Sequence, residues 1–426
     1  MTIYVVKPGD SLWSIGKKFG VIPGHIADVN KIKDPGNLVT GQTLIIPSKE
    51  KQYIIKPGDT IWSISKKFGV SVNSILERNK ITNSSAVYPG LVIKIPEKSK
   101  NYGYMEVNGF IQPSNPLKER TVLGESITYL TYVTPFSHHV NADGSLTPLN
   151  DTVILQIAKD NNVAPMLSVT NISGDNFDSK LISNILSSDE LSQTLINNIL
   201  SLIKSKGSYG VIVDFERIPP EDREKYNDFL RKLVARLHPQ YLVATALAPK
   251  TSDIKTGSWH GAHDYKAQGE IVDFVIIMTY EWGWSGGPPM AVAPLNEVRK
   301  VINYAVSVIP PKKIMMGIPL YGYDWTLPYT AKAEFAEAIG NQAAIDRAAK
   351  YKTVIKYDEK AESPYYKYYD ENRIEHVVWF EDARSVEAKY KLASEYGLRG
   401  VSYWSLAQPF PQNWQVLDNM FKITKL

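Results

Sequence analysis

Two patterns of apolar positions divide this chain near residue 100. In the first, a block of alternating and helix-spaced apolar residues occurs twice at an offset of 49. Tyr4-Val-Val-Lys-Pro-Gly-Asp-Ser-Leu-Trp-Ser-Ile returns as Tyr53-Ile-Ile-Lys-Pro-Gly-Asp-Thr-Ile-Trp-Ser-Ile. Phe19-Gly20-Val21 returns as Phe68-Gly69-Val70, and Asn30, Gly41 and Pro47 return as Asn79, Gly90 and Pro96. Each copy is predicted to run strand, helix, helix, strand. In the first copy the strands are residues 4–6 and 43–46, and Pro8-Gly9 turns the chain. Asp10 is expected to cap a helix that turns Leu12, Ile15 and Phe19 inward, and Gly20 to end it. Copies this short bury a minimal core and leave no cleft for chemistry. Their boundaries are placed at 1–48 and 52–97, with Glu97-Lys-Ser-Lys-Asn101 as a polar linker.

From residue 101 to 426 the pattern changes to apolar strand-like runs alternating with amphipathic helical ones. Eight runs read as strands: 107–111, 128–133, 164–169, 210–214, 242–247, 274–279, 314–319 and 400–404. Helical patterns such as 191–204 and 296–308 lie between most of them. This predicts an α/β fold, one (β/α)8 TIM barrel. The widest gap separates the last two strands, so about 329–382 is expected to hold a small α+β insertion. Its helix is expected at 331–350 and its antiparallel strands at 354–357, 365–369 and 377–379. Tyr365, Tyr366, Tyr368 and Tyr369 there read equally well as a sheet face or as the wall of a sugar groove.

The fourth run, Tyr209 to Glu216, reads Y-G-V-I-V-D-F-E. Residues two apart on a strand share a face, so Asp214 and Glu216 project together while Val211, Val213 and Phe215 point the other way. A helix follows with Tyr226, Leu230, Leu233 and Leu237 on one stripe. Active sites of such barrels lie at the C-terminal ends of the strands. The pair is therefore read as catalytic rather than as a solvated strand end.

Composition narrows the options. No apolar run approaches the ~20 residues of a membrane span. The absence of cysteine excludes disulfides, thiolate metal sites and a cysteine nucleophile. Residues 1–100 carry 15 Lys+Arg against 7 Asp+Glu, and the remainder 33 against 37. A basic front end suits a polyanion. Its lysines are not interleaved with stacking aromatics, so nucleic acid is not expected. The repeat begins at Met1, which leaves no room for a signal peptide, and a monomer is expected.

The repeated block resembles the LysM family over nearly all of residues 3–96. The resemblance implies binding of N-acetylglucosamine-containing glycans, peptidoglycan or chitin, between two loops. Those loops would be Gly9, Asp10 and Ser11 with the segment before Gly41, and Gly58, Asp59 and Thr60 with the segment before Gly90. Capping is expected to be the main task of Asp10 and Asp59.

Residues 105–420 resemble glycoside hydrolase family 18, the chitinase-like family. Y-G-V-I-V-D-F-E stands where the family has D-G-x-D-x-D-x-E on its fourth strand. Met278-Thr279-Tyr280, the segment Met316 to Gly322, and Gly400 to Trp404 match its sixth, seventh and eighth strands. The resemblance implies that Glu216 protonates the glycosidic oxygen, with the substrate's own 2-acetamido group as nucleophile. Asp214 would orient that group, Tyr280 would bond its carbonyl oxygen, and Trp404 would floor the sugar subsite. Met278, Tyr321 and Glu281 would line it. Retention of configuration is implied, with no metal and no cofactor. Two family aspartates are missing, replaced by Tyr209 and Ile212, and Glu281 stands where the family usually has Asp. Ile212 deprives Asp214 of its inner partner, a loss whose effect on ionisation the sequence does not sign. Ser168 is expected to supply part of the missing hydrogen bonding.

Two other motifs carry no such weight. Gly283-Trp-Ser-Gly-Gly287 runs into Pro288-Pro289 rather than a helix, so it is no nucleophile elbow. His260 and His263 read as loop histidines, with no third ligand nearby. The joint layout resembles the bacterial spore-cortex-lytic enzymes. It implies an N-acetylglucosaminidase at the coat/cortex boundary of the spore, acting on cortex peptidoglycan or its fragments during germination. A chitinase, a vegetative autolysin and a non-catalytic glycan-binding coat protein remain as alternatives.

Overall fold

The structure is a computed structural model describing residues 1–47, 51–70, 72–82, 87–95, 102–331 and 334–426. The expected linker at 97–101 lies outside the described residues. In the first repeat copy, antiparallel strands Thr2–Val5 and Thr43–Ile46 enclose helices Leu12–Phe19 and Pro23–Val29. In the second, strands Lys51–Ile54 and Val92–Ile95 enclose Ile61–Phe68 and Val72–Arg78. Gly20 and Gly69, both at φ 66°, end the first helix of each copy.

The helix caps are Ser11 and Thr60, not Asp10 and Asp59. Ser11 and Thr60 accept from the N–H groups of Ser14 and Ser63, whose hydroxyls reciprocate. The aspartates lie one residue too early and fold back over the turn. Asp10 Oδ2 accepts from the Lys7 N–H at 2.8 Å and the Tyr4 hydroxyl at 2.7 Å. Asp59 repeats this with Lys56 and Tyr53 at 2.8 and 2.7 Å.

The barrel strands are Tyr104–Ile111, Tyr132–Pro135, Ala164–Thr170, Gly210–Asp214, Leu242–Leu247, Phe274–Ile277, Ile314–Pro319 and Gly400–Trp404. Each pairs in parallel with the next, and the eighth pairs with the first, so the ring closes. The second strand starts later than expected because Ile127–Tyr129 continues helix Pro116–Ser126 as a 3-10 turn. On strand four, Val211, Val213 and Phe215 join the core beneath the helices. Ile212 faces the barrel axis, in a cluster with Met166, Ala244, Phe274 and Met315.

The insertion begins earlier than expected. Strand Tyr321–Thr326, directly after strand seven, pairs with Glu337–Gly340 and Glu375–Trp379, and Ser363–Tyr369 and Lys356–Asp358 extend the sheet. The helix is confined to Asn341–Lys350, because residues 337–340 are taken up in the sheet; positions 332–333 of the expected helix lie outside the described residues. Tyr366 and Tyr368 turn into the insertion's own core, donating to Ala344 O at 2.8 Å and Asp324 Oδ2 at 2.7 Å. Tyr365 stacks on Trp379 at 4.6 Å, and Tyr369 is exposed. The four therefore divide between the two faces of the sheet, and none of them lines the cleft described below.

The first repeat copy is docked on the barrel. The outward side of its returning strand meets the last two helices, Ala383–Glu395 and Pro411–Met420, and Ile45 joins the barrel core. Gln412 donates to Thr43 O at 2.8 Å and Asn30 Oδ1 at 2.9 Å, and accepts from the Thr43 hydroxyl at 3.2 Å. The Ile355 N–H of the insertion donates to Thr40 O at 2.9 Å. Gly41, at φ 87°, lies so close that a Cβ would stand 1.8 Å from Ile355 O.

Candidate active site

Strand four delivers Asp214 to the open end of the barrel, directly above Ile212. The aspartate is 6% exposed, and its Oδ1 has no hydrogen-bond partner among the described residues. Burial pushes its carboxyl up to about 7. Desolvation is thus the effect that sets the direction at Asp214, with no inner carboxylate beneath it. Ser168 does not supply the expected bond. It pairs in register with Ile212, one step below Asp214, and its buried Oγ has no partner among the described residues either.

Glu216 lies just past the strand, half-buried at the cleft. Asn171, following strand three, clamps its backbone from both sides. The Glu216 N–H donates to Asn171 Oδ1 at 2.9 Å, and Asn171 Nδ2 donates to Glu216 O at 2.9 Å. Burial, then the neighbouring Asp214 and Glu281, push the Glu216 carboxyl well above its usual range, against the pull of Arg217. The shift favours the protonated carboxyl, the form a general acid requires.

Tyr280 enters from the end of strand six, and burial raises its hydroxyl well above 10.0, so it remains a donor. Glu281, at φ 69°, accepts hydrogen bonds from the hydroxyls of Tyr321 and, at 3.0 Å, Tyr323. Burial raises its carboxyl as well. Trp404 ends strand eight and packs edge-on against Phe136 and Phe110, at 4.6 and 5.8 Å between ring centroids.

One cleft of about 400 Å³ brings together Asp214, Glu216, Met278, Tyr280, Glu281, Tyr321 and Trp404. Ser168 is not on its wall. Sequence reasoning missed Phe136, Asn171, Tyr323 and Trp259. Asn171 acts on backbone atoms, and Trp259 sits in a loop without a recognisable motif. A second lobe of about 600 Å³ adjoins the cleft, sharing Pro249, Trp259, Tyr280 and Glu281 with it. The repeat-loop residues Gly9, Ser11, Gly58 and Thr60 are exposed, with Asp10 and Asp59 half-buried beside them.

The other motifs resolve as structural parts. The carbonyls of Gly286 and Gly287 accept from Tyr329 and the Trp325 indole at 3.0 and 2.9 Å. His263 accepts from the Ala248 N–H at 2.8 Å and donates to Phe215 O at 3.1 Å. Burial lowers its ring to about 4, so it is a neutral strut across the strand ends.

A closed parallel barrel with a carboxyl raised by burial and an indole beside it at its C-terminal mouth has the parts of a glycoside hydrolase. The model for glycosyl hydrolases family 18 matches residues 101–408, and that for the LysM domain matches 4–47 and 53–96. The chain belongs to glycosyl hydrolases family 18. It is 47% identical to the cortical fragment-lytic enzyme of Bacillus anthracis over 99% of each chain. With the one from Bacillus subtilis (strain 168) the identity is 47%, over 100% of this chain and 99% of the other. Among solved structures, the spore cortex-lytic enzyme SleL of Bacillus megaterium QM B1551 superposes with a TM-score of 0.85 at 44% identity, covering 100% of this chain and 99% of that one.

Proposed function

We propose that this protein is a retaining N-acetylglucosaminidase that hydrolyses spore-cortex peptidoglycan or its fragments during germination. The observation that carries the reading is the union of Asp214, Glu216, Tyr280 and Trp404 in one cleft, where burial pushes the Glu216 carboxyl well above its usual range. Glu216 gives its proton to the glycosidic oxygen. The acetamido oxygen of the same sugar attacks the anomeric carbon, and the leaving chain departs. Asp214 accepts from the acetamido N–H and steadies the cationic ring that forms, while Tyr280 donates to the acetamido oxygen. Water then opens the ring, with Glu216 as base, and configuration is retained. Glu281 is engaged by two tyrosine hydroxyls, so it lines the subsite rather than attacking the sugar. Met278 and Tyr321 line it as well, and Trp404 stacks on the sugar face. Gly9, Asp10, Ser11 and their counterparts Gly58, Asp59 and Thr60 contribute to glycan binding in the LysM copies. The protein works as a monomer at the coat/cortex boundary.

The relatives' names favour cortex fragments over chitin as substrate. The test is mass spectrometry of products from purified cortex fragments and from chitin oligomers, with wild type and Glu216→Gln side by side. Wild type should release products ending in N-acetylglucosamine, and the variant should be at least about 100-fold slower. Equal product release by the two would refute the enzyme reading, and preference for chitin would refute the substrate.

A further inference from the structure

The second lobe has a chemistry that hydrolysis alone does not require. It excludes Asp214 and Trp404, the residues that hold the sugar bearing the attacking acetamido group. It shares Tyr280 and Glu281 with the cleft and extends from them to Arg217, the residue that follows the proton donor Glu216. Its aromatic surfaces are Trp259, Trp282 and Trp284, with Trp259 and Trp284 41% and 46% exposed.

Arg217 is the unusual member. It adopts a left-handed backbone at φ 55°, which an arginine enters at a cost. That conformation leaves its side chain exposed, with the guanidinium over the Trp259 ring at 5.8 Å from the centroid. No carboxylate of the described residues forms an ion pair with it. The other charges of the lobe are answered. Lys250 donates to His263 O at 2.8 Å and stands 3.6 Å from Asp253. Glu281 is held by Tyr321 and Tyr323. Burial, and then Lys250, lowers the His260 ring below its usual range. One planar cation therefore stands beside an indole face without an ion pair among the described residues, its charge felt at the Glu216 carboxyl.

We propose that this lobe is a leaving-side subsite for a hexose bearing a carboxylate, read by Arg217 while Trp259 receives the ring. A muramic-acid-type residue with a free lactyl or peptide carboxylate has this chemistry. The inference rests on the glycosidase reading and adds the identity of the sugar released. A guanidinium fork matches a carboxylate in shape as well as charge, and the aromatic wall lowers the local dielectric that would otherwise weaken the pair.

The experiment compares two defined oligosaccharides in which N-acetylglucosamine is linked to N-acetylmuramic acid. One has its lactyl carboxylate free, and in the other the carboxylate is amidated. Wild type should cleave the free acid with about tenfold higher kcat/KM, an advantage that shrinks with added salt. Arg217→Gln should bring the ratio of the two substrates close to one, and Arg217→Lys should restore part of it. A wild-type ratio near one, or a ratio that survives Arg217→Gln, overturns the subsite while leaving the glycosidase standing. Failure of wild type to cleave either compound overturns both.

Discussion

The two LysM copies share one fold and differ in what their returning strand meets. Asn30 and Asn79 make the same brace, each donating to a helix carbonyl and to the strand. Asp10 and Asp59 close the same turn. Yet Ile45 is 1% exposed inside the barrel core, whereas Lys94, its counterpart, is exposed. Thr43 bonds Gln412, while Val92 in the same place is 50% exposed. Gly41 abuts Ile355, and the space beside Gly90 is open. Strand alternation separates two tasks. The inward side holds the module together, and the outward side decides whether it docks.

The sharpest way to break this comparison is to exchange the deciding residues. Ile45→Lys would place an unpaired ammonium in an apolar contact and should cost about 3 kcal/mol or more, with faster hydrogen exchange along residues 43–46. Lys94→Ile should change stability by no more than about 0.5 kcal/mol. Comparable losses from the two would mean that the outward side does not decide docking. Gly41→Ala comes next. Its Cβ would collide with Ile355 O in addition to straining a positive φ, for about 2 kcal/mol or more in denaturant titration. Gly90→Ala meets only the strain, about 1 kcal/mol. The smallest effect sharpens the likeness: Asp10→Ala and Asp59→Ala should each cost about 1 kcal/mol, and a clear gap between them would show that the barrel reaches the turn.

Much of this was legible in the sequence, and the gaps have physical causes. A repeat with fixed spacing and eight apolar runs disclose the modules and the barrel, because each depends on local periodicity. The contrast of Ile45 with Lys94 is visible in the letters, but its meaning is not. The surface that Ile45 meets comes from Gln412 and the last helices, far along the chain. The cap lies one residue beyond the expected Asp10, since Asp and Ser are both good caps and only the backbone conformation selects Ser11. The acid pair, Tyr280 and Trp404 could be placed because they end strands. Asn171 and Trp259 could not, since their roles depend on how loops fold back over the barrel mouth. Ser168 shares a face with Asp214's neighbours but lies one level too deep, beside Ile212.

Asp214 standing on Ile212 also ties the cleft to the folding equilibrium. Its carboxyl titrates at 3.8 in an ordinary setting and about 7 in the fold, so the folded chain holds the proton more tightly than the unfolded one. The stabilisation from this linkage is complete below about 3.8, declines as pH rises, and is gone above about 7. Near neutrality the vacant enzyme is thus being asked to ionise a group its own barrel core disfavours. An acetamide N–H arriving at Asp214 would relieve that conflict. In the proposed reaction, substrate would complete the folding of the site as well as occupy it, and an N-acetyl group would be recognised partly by the instability it removes.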